Sequence, residues 1–330
     1  MRKLDRRNFL ALAGSAAIPF ALGATSATAA DTSSETLYFD DRFRHIGPRP
    51  TARVHRLATG MKFTEGPCWF AGSGGLMFSD VGDDKIWRHD VVSGRTLLFR
   101  APSNYANGLA RDSRGRLVIC EHAGRRVNRV EVDGSTTILA DRFEGKRFNS
   151  PNDLAIHRDG SIWFTDPDYG LKSSRSGGRL AELPLQAYRL DPDSGSLSVV
   201  ADDAVKPNGI CFAPDYAKLY ISDSARPFKI FVYDVIDGRL LRRSRQFGER
   251  LVGLVDGLAC DSKGNVWASS GWRGASNNGV QVFAPDGTLI GFIWLPEVCS
   301  NVCFGGENMS QLFMTASSSL YSVEVGSFGI

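Results

Sequence analysis

Hydrophobic residues after residue 35 occur in short runs, separated by turns that are rich in Gly, Asp and Asn. Six segments open in the same way, with an oxygen-bearing side chain followed by small or apolar residues. They are EGPCWF from Glu65, NGLARD from Asn107, NDLAIH from Asn152, NGICFA from Asn208, DGLACD from Asp256 and NVCFGG from Asn301. The openings lie 42 to 56 residues apart, a spacing that is typical of repeated supersecondary units.

Each repeat predicts four short strands. A turn such as Asp112–Gly115 or Asp261–Gly264 follows most openings, and a β-rich run such as SIWFTD or KLYISD comes next. A second hairpin signal, such as Asp133-Gly134, then joins two further apolar runs. No helical periodicity of useful length occurs in this part of the chain. Six units of four antiparallel strands predict an all-β fold, a six-bladed β-propeller over residues 51–330.

The last repeat is one strand short. After Asn301 only three strands are predicted, in CFGG, QLFMTA and SLYSVEV. The segment Arg53–Ala58 resembles the strand that precedes the other openings. We therefore predict that this N-terminal strand completes the last blade, because closing the ring removes an exposed sheet edge.

The first residues have the pattern of an export signal. Arg6-Arg7 is followed by Phe9-Leu10, a weakly apolar stretch and Ala27-Thr28-Ala29, which together are typical of a twin-arginine signal peptide. Asp5 stands where that motif more usually has Ser or Thr. A membrane anchor is the alternative, although the apolar run is short for a bilayer. We predict a signal peptide over residues 1–30, an extension over residues 31–50, and a periplasmic or secreted protein that engages the export machinery.

Charge bears on the choice of partners. The whole chain has a formal net charge of +3, and the predicted signal carries four basic residues and one acidic residue, so the mature protein is neutral. A neutral protein is not expected to bind nucleic acid or an anionic membrane surface once the signal is removed.

The six cysteines have no metal or redox spacing. Cys68, Cys211 and Cys260 follow their openings at the distance where other repeats carry Ala110 and Ala155. We interpret them as small buried side chains, and the sequence leaves open whether any of the six form disulfides.

The six openings are the candidate site. A repeat fold puts equivalent positions together, so these side chains are expected to ring one mouth of the central channel. Each Asn could instead cap a turn. Buried carboxylates require compensation, and a divalent cation that prefers oxygen ligands would neutralise Glu65 and Asp256. Calcium fits this donor set, magnesium and manganese remain open, and zinc is disfavoured but not excluded.

Several of these motifs together resemble a known family. Glu65-Gly66-Pro67, Ser150–Leu154 followed by Trp163–Pro167, Pro207-Asn208-Gly209 and Asp256-Gly257-Leu258 resemble the gluconolactonase/senescence marker protein (regucalcin) family. The resemblance covers about residues 60–325 and implies a six-bladed propeller with one divalent cation, usually calcium. It implies that Glu65, Asn152, Asn208 and Asp256 bind the metal. The implied reaction is hydrolysis of a lactone, most often a sugar lactone such as gluconolactone to the aldonic acid.

The resemblance, together with the positions of the residues in the repeats, suggests roles for single side chains. Asp256 is expected to be metal ligand and general base, or else to attack directly as the nucleophile, and the sequence leaves both routes open. Substrate hydroxyls are expected to contact Asn107, Asn149 and Asn152. Tyr105 and Arg226 lie in loops that are expected to wall the pocket. Asn301 is expected to line the channel without binding metal, and His122 is expected to be a surface or packing residue away from the mouth.

Three functions are compatible with the ring of openings. They are a sugar lactonase, a hydrolase of another ester such as a hydrophobic lactone or an organophosphate, and a non-catalytic propeller that binds a sugar or partner around a structural metal. A polar pocket wall would favour sugars, and an apolar wall would favour hydrophobic lactones. Lys172–Gly178 is expected to form a flexible lid over the mouth. Nucleophile-elbow and phosphate-loop motifs are absent from the sequence.

Overall fold

A computed structural model of the protein describes residues 30–32, 35–72, 75–172 and 178–330. The predicted signal peptide up to residue 29 and residues 173–177 of the predicted lid lie outside these ranges. The longest helix in the described part of the chain, Asp41–Ile46, has six residues, and no described helix is long and apolar enough to cross a membrane.

The described chain is a six-bladed β-propeller with four antiparallel strands in each blade, as predicted. From the channel outwards, blade one has the strands Thr64–Phe70, Gly75–Asp80, Lys85–Asp90 and Arg95–Arg100, and blade two has Ala106–Arg111, Leu117–Glu121, Arg126–Val130 and Thr136–Ala140. In the same order, blade three has Leu154–Ile156, Ile162–Asp166, Gln186–Leu190 and Leu197–Ala201, and blade four has Pro207–Phe212, Lys218–Asp223, Lys229–Ile236 and Leu240–Phe247. Blade five has Leu258–Cys260, Val266–Ser270, Gly279–Phe283 and Leu289–Trp294, and blade six has Cys299–Gly305, Gln311–Ala316, Ser319–Glu324 and Val54–Thr59. The described chain also contains a small hairpin of Arg142–Phe143 and Lys146–Arg147, the helix Tyr169–Lys172 and the 3-10 turn Ala275–Asn277.

The N-terminal strand closes the ring, as predicted. Val54–Thr59 pairs antiparallel with Ser319–Glu324, and Ala58 lies opposite Leu320. Ala30, the last residue of the predicted signal peptide, and residues of the predicted extension add further strands. Ala30–Thr32 pairs with the closing strand, and Thr36–Tyr38 pairs with the outer strand of blade five. These additions cover two sheet edges that would otherwise be open to pairing with another chain.

Large aromatic side chains fill the seams between blades. The ring of Trp163 lies 5.4 Å from that of Phe212, and the ring of Trp267 lies 5.5 Å from that of Phe304, each pair joining two neighbouring blades. Trp163 and Trp267 are fully buried. Their burial withdraws large apolar surfaces from water, which holds adjacent blades together.

All six cysteines are free thiols, and five of them are buried. The sulfur atoms of Cys211 and Cys260 lie 3.6 Å apart on the inner strands of blades four and five without a covalent bond. The open question of disulfides is therefore answered in favour of small buried packing residues.

Aspartates at the ends of second strands anchor the loops that lead into the inner strands. Asp166 accepts hydrogen bonds from the backbone N–H groups of Asn149 and Ser150, at 2.8 and 2.7 Å. Asp223 does the same for Val205 and Lys206, both at 2.9 Å. Each anchor fixes the path of the chain two to three residues before an opening, Asn152 in blade three and Asn208 in blade four.

Glycine follows most openings because neighbouring inner strands approach too closely for a side chain. The amide of Gly209, within the inner strand of blade four, donates to the carbonyl oxygen of Asp256 in blade five at 3.0 Å. A Cβ atom at Gly209 would lie 2.3 Å from that oxygen. Gly66 and Gly108 meet the next blade in the same way, at 2.1 and 2.6 Å. These glycines are therefore contact positions between blades. The turn-capping alternative does not apply to Asn208, because Asn208 lies within the inner strand Pro207–Phe212.

We expect Gly209→Ala to destabilise the fold by about 2–3 kcal/mol, because the methyl group must push blades four and five apart. Gly195→Ala is the matched control, since Gly195 lies in an exposed turn with no atom near its Cβ position. Its left-handed backbone, with φ of 72°, costs only about 1 kcal/mol. Urea unfolding of both variants tests this, and equal losses would contradict the proposed contact.

Candidate active site

Five of the six openings reach one cavity of about 460 Å³ at a mouth of the central channel. They are Glu65, Asn107, Asn152, Asn208 and Asp256. The sixth opening, Asn301, does not line this cavity. The structure thus brings together the four residues of the predicted metal set and two of the three residues predicted to bind substrate.

The amide side chains of the ring are linked head to tail. Asn107 Nδ2 donates to Asn152 Oδ1 at 2.6 Å, and Asn152 Nδ2 donates to Asn208 Oδ1. Asn208 Nδ2 continues the series by donating to Ser224 Oγ at 2.9 Å. Because each amide is held by its neighbour, the orientation of every oxygen at the cavity floor is coupled to the rest of the ring.

Two ring carboxylates strongly influence each other. Burial, together with the charge of Asp256, raises the pKa of Glu65 well above its usual range. Burial and the nearby charge of Asp153 raise the pKa of Asp256 to about 7, although its hydrogen bonds with Asn208 and Glu65 act in the opposite direction. Both acids therefore resist ionisation unless a positive charge compensates them.

Asn301 supports the ring from the side away from the cavity. Its Nδ2 atom donates to Glu65 Oε2 at 3.2 Å and to Asp153 Oδ2 at 3.5 Å. Asp153 is buried, and burial raises its pKa to about 6. Asn301 was expected to line the channel without binding metal; it lies outside the lining of this cavity and is held beside it by these hydrogen bonds.

The donor set of the floor fits a hard cation. Glu65 and Asp256 offer carboxylate oxygens, Asn152 and Asn208 offer amide oxygens, and no sulfur or imidazole belongs to the predicted set. No cluster of three or more His, Cys, Asp or Glu side chains suited to a metal occurs among the described residues, so amide oxygens are needed to complete a site. Such mixed oxygen ligation is typical of Ca²⁺, which also accepts water ligands.

The prediction for His122 is wrong. His122 is buried and lines the cavity, with Nε2 2.9 Å from Asn152 Oδ1 and 3.1 Å from Asn107 Nδ2. Burial lowers the pKa of His122 to about 4, so its imidazole group is neutral near pH 7. A sequence signal was available: His122 directly follows the second strand of its blade, and because that strand runs antiparallel to the inner strand, its end lies beside the opening Asn107.

Asn149 is placed differently from its predicted role. Its side chain is fully buried and lies outside the cavity lining. Asn149 Nδ2 faces the backbone carbonyl oxygens of Leu183 and Asp166 at 3.0 and 3.3 Å. Because these contacts occupy the amide, Asn149 holds the loop beside the site, and it is removed from the candidate substrate ligands.

The cavity wall is mostly apolar and aromatic. Tyr105 and Arg226 belong to it, as predicted. The remaining wall residues are Phe63, Val81, Ala123, Tyr169, Gly170, Phe228, Leu254 and Trp272. The hydroxyl group of Tyr169 lies 3.3 Å from Asn208 Nδ2, which links the wall to the ring. A polar floor under an apolar wall is the usual arrangement of a small-molecule site.

The fold and this floor define a class of protein: a six-bladed propeller with a ring of carboxylates and amides at one channel mouth. Residues 63–318 match the SMP-30/Gluconolactonase/LRE-like region, and the chain belongs to this family. A gluconolactonase from Zymomonas mobilis is 32% identical over 302 residues, which cover 84% of this chain and 82% of that protein. A pentonolactonase from Haloferax volcanii is 31% identical over 78% of this chain and 82% of its own length.

A solved structure shows that this chain also resembles a gluconolactonase in fold. The structure of a gluconolactonase from Xanthomonas campestris is 32% identical, with a TM-score of 0.84 over 92% of this chain and 99% of that one. The family match and the structural likeness agree on the propeller and extend over nearly all of the blades.

Proposed function

We propose that the protein is a lactonase that hydrolyses a sugar lactone such as gluconolactone to the aldonic acid. The observation that carries this proposal is the convergence of five ring side chains on the floor of one cavity, in a chain whose relatives are lactonases acting on hexono- and pentonolactones. A small-molecule lactone is therefore the proposed partner of the site.

We further propose that Glu65, Asn152, Asn208 and Asp256 hold one divalent cation, with Ca²⁺ favoured by the all-oxygen donor set. Support comes from the raised pKa values of Glu65 and Asp256, which indicate two acids that lack a compensating charge. When bound, such a cation polarises a lactone carbonyl group and stabilises the oxyanion that forms on it.

The chain's own groups supply binding and proton transfer. Asp256 is partly exposed to the cavity, so its carboxylate can accept a proton from a water molecule that attacks the lactone. Direct attack by Asp256 on the carbonyl carbon is the alternative route. Asn107 and the neutral His122 line the same cavity and are placed to bind hydroxyl groups of a sugar lactone. The apolar wall limits the access of bulk water.

The apolar wall favours a second candidate substrate. Phe228, Leu254 and Trp272 together offer little hydrogen-bonding capacity, and a lactone with an apolar substituent would fill that side of the cavity. A non-catalytic sugar-binding propeller would share the ring, but it would not need the partly exposed carboxylate of Asp256.

We also propose export through the twin-arginine route to the periplasm or beyond, on the basis of the N-terminal sequence alone. Fractionation of cells that express the full chain and a variant with Arg6 and Arg7 replaced by lysine tests the location.

The enzymatic proposal is tested by measuring acid release from a panel of lactones by residues 31–330. We expect hydrolysis of aldonolactones that disappears in EDTA and returns with added Ca²⁺. Faster hydrolysis of an aliphatic δ-lactone than of gluconolactone would favour the hydrophobic substrate class. No rate above the spontaneous one on any ester, with cation bound, would support a binding propeller instead.

A further inference from the structure

Two arginines share one aromatic ring at the rim of the cavity. Arg226 and Phe228 belong to the loop after the second strand of blade four, and both line the cavity. The guanidinium carbon of Arg226 lies 5.2 Å from the centre of the Phe228 ring, and that of Arg273 lies 6.0 Å from it. Arg273 comes from blade five, next to the cavity residue Trp272. The rim therefore brings together two positive charges from different blades.

No carboxylate of the described residues forms an ion pair with Arg226 or Arg273. Other cations near the site are paired, as Lys206 is with Asp168 at 3.2 Å. A guanidinium group beside an aromatic ring keeps its N–H donors, so both arginines can bind an acid group. Two like charges beside the same ring are stabilised when an anion lies between them or beside them.

The charges of the cavity are arranged in two parts. The acids Glu65 and Asp256 lie at the floor, where the proposed chemistry takes place, and the guanidinium groups lie at the rim. A lactone whose carbonyl group lies at the floor therefore presents its far end to the rim. A neutral far end would leave the N–H edges of both arginines to water, whereas an acidic far end would bind them directly.

We propose that the substrate is an acidic lactone, with a phosphate or carboxylate group on the carbon distant from the carbonyl, and that Arg226, assisted by Arg273, binds this group. The inference rests on the proposed lactone hydrolysis and defines its substrate class. Arg226 is then a residue that determines specificity and binds the substrate directly.

The test compares kcat/KM for glucono-δ-lactone, 6-phosphoglucono-δ-lactone, glucaro-lactone and the apolar δ-valerolactone. We expect the natural protein to prefer at least one acidic lactone over gluconolactone by about tenfold or more, the size of a charge-assisted hydrogen bond. In Arg226→Gln this preference should fall by about tenfold, mainly through KM, and added salt should weaken it in the natural protein. The two acidic substrates distinguish a phosphate site from a carboxylate site.

Arg239→Gln is the matched control, because Arg239 is an exposed arginine in an outer hairpin turn of blade four. It should leave every preference unchanged. A natural protein that prefers gluconolactone or δ-valerolactone would overturn the inference while leaving the lactonase proposal intact. Equal losses on charged and neutral lactones in Arg226→Gln would assign the residue a structural role and overturn it too. Failure to hydrolyse any lactone would overturn the proposed function itself.

Discussion

Replacing Asp256 with asparagine is expected to lower kcat/KM for lactone hydrolysis by about 10²–10⁴-fold, the usual contribution of a positioned general base. The substitution keeps the size of the side chain and removes its charge and its capacity to accept a proton. Asp256 is the ring acid that remains partly exposed to the cavity, whereas Glu65 is buried beside it. Glu65 is the other carboxylate among the described residues that line the cavity, and because it is buried it is a poor replacement for Asp256.

Two further measurements separate a catalytic role from a structural one. Circular dichroism should show a folded Asp256→Asn protein, because its backbone contacts with Gly209 and Ser269 do not involve the carboxylate. The control Asp193→Asn, at an exposed turn, should retain full activity. Asp256→Asn with activity within threefold of the natural protein would exclude both the general base and the nucleophile roles.

Cation binding is expected to stabilise the fold strongly at pH 8 and only weakly at pH 5. In the metal-free protein, the folded-state pKa of Asp256 is about 7, above its ordinary value of 3.8. A raised pKa means that the folded state binds the proton more tightly, so this stability is present at low pH and is lost as the pH rises through 7. For Asp256 alone, the loss between pH 5 and pH 8 is about 2–3 kcal/mol, at about 1.4 kcal/mol per pKa unit.

A divalent cation bound at the proposed site is expected to replace the proton and restore this stability, and at low pH it would have to displace the proton. His122 acts in the opposite direction, because its pKa is lowered to about 4 and its stabilising contribution is lost on acidification. The quantity to compare is therefore the difference between the melting temperatures with and without cation at each pH.

The measurement is thermal unfolding in EDTA and in millimolar Ca²⁺ from pH 5 to pH 8. We expect the cation-induced rise in Tm to increase steadily over this range. In Asp256→Asn the rise should be small at every pH, and the metal-free variant should be more stable than the natural protein at pH 8, because one buried charge is gone. An equal rise in Tm at pH 5 and pH 8 would show that the ring acids are not the cation ligands.

Much of the fold follows from the sequence because the repeat is local. The alternation of short apolar runs with Gly-, Asp- and Asn-rich turns predicts four strands in each of six units, and the missing strand of the last unit points to Val54–Thr59. The convergence of the openings on one mouth also follows, since equivalent positions of a closed repeat are related by rotation. The sequence could not show which openings face the cavity, because the direction of the Asn301 amide depends on its hydrogen bonds to Glu65 and Asp153 from other blades.

Tertiary structure alone decided the surroundings of the ring. Asn149 lies only three residues before Asn152, but its backbone N–H donates to Asp166 at the end of the second strand of blade three. The side-chain amide of Asn149 consequently faces backbone carbonyl oxygens and not the cavity. His122 reaches Asn152, 30 residues away along the chain, because two adjacent blades converge at the mouth. The pairing of Arg226 and Arg273 on Phe228 joins loops of different blades. Local pattern determines strands and their repeat, whereas contacts between blades depend on loop paths and side-chain directions that no single repeat encodes.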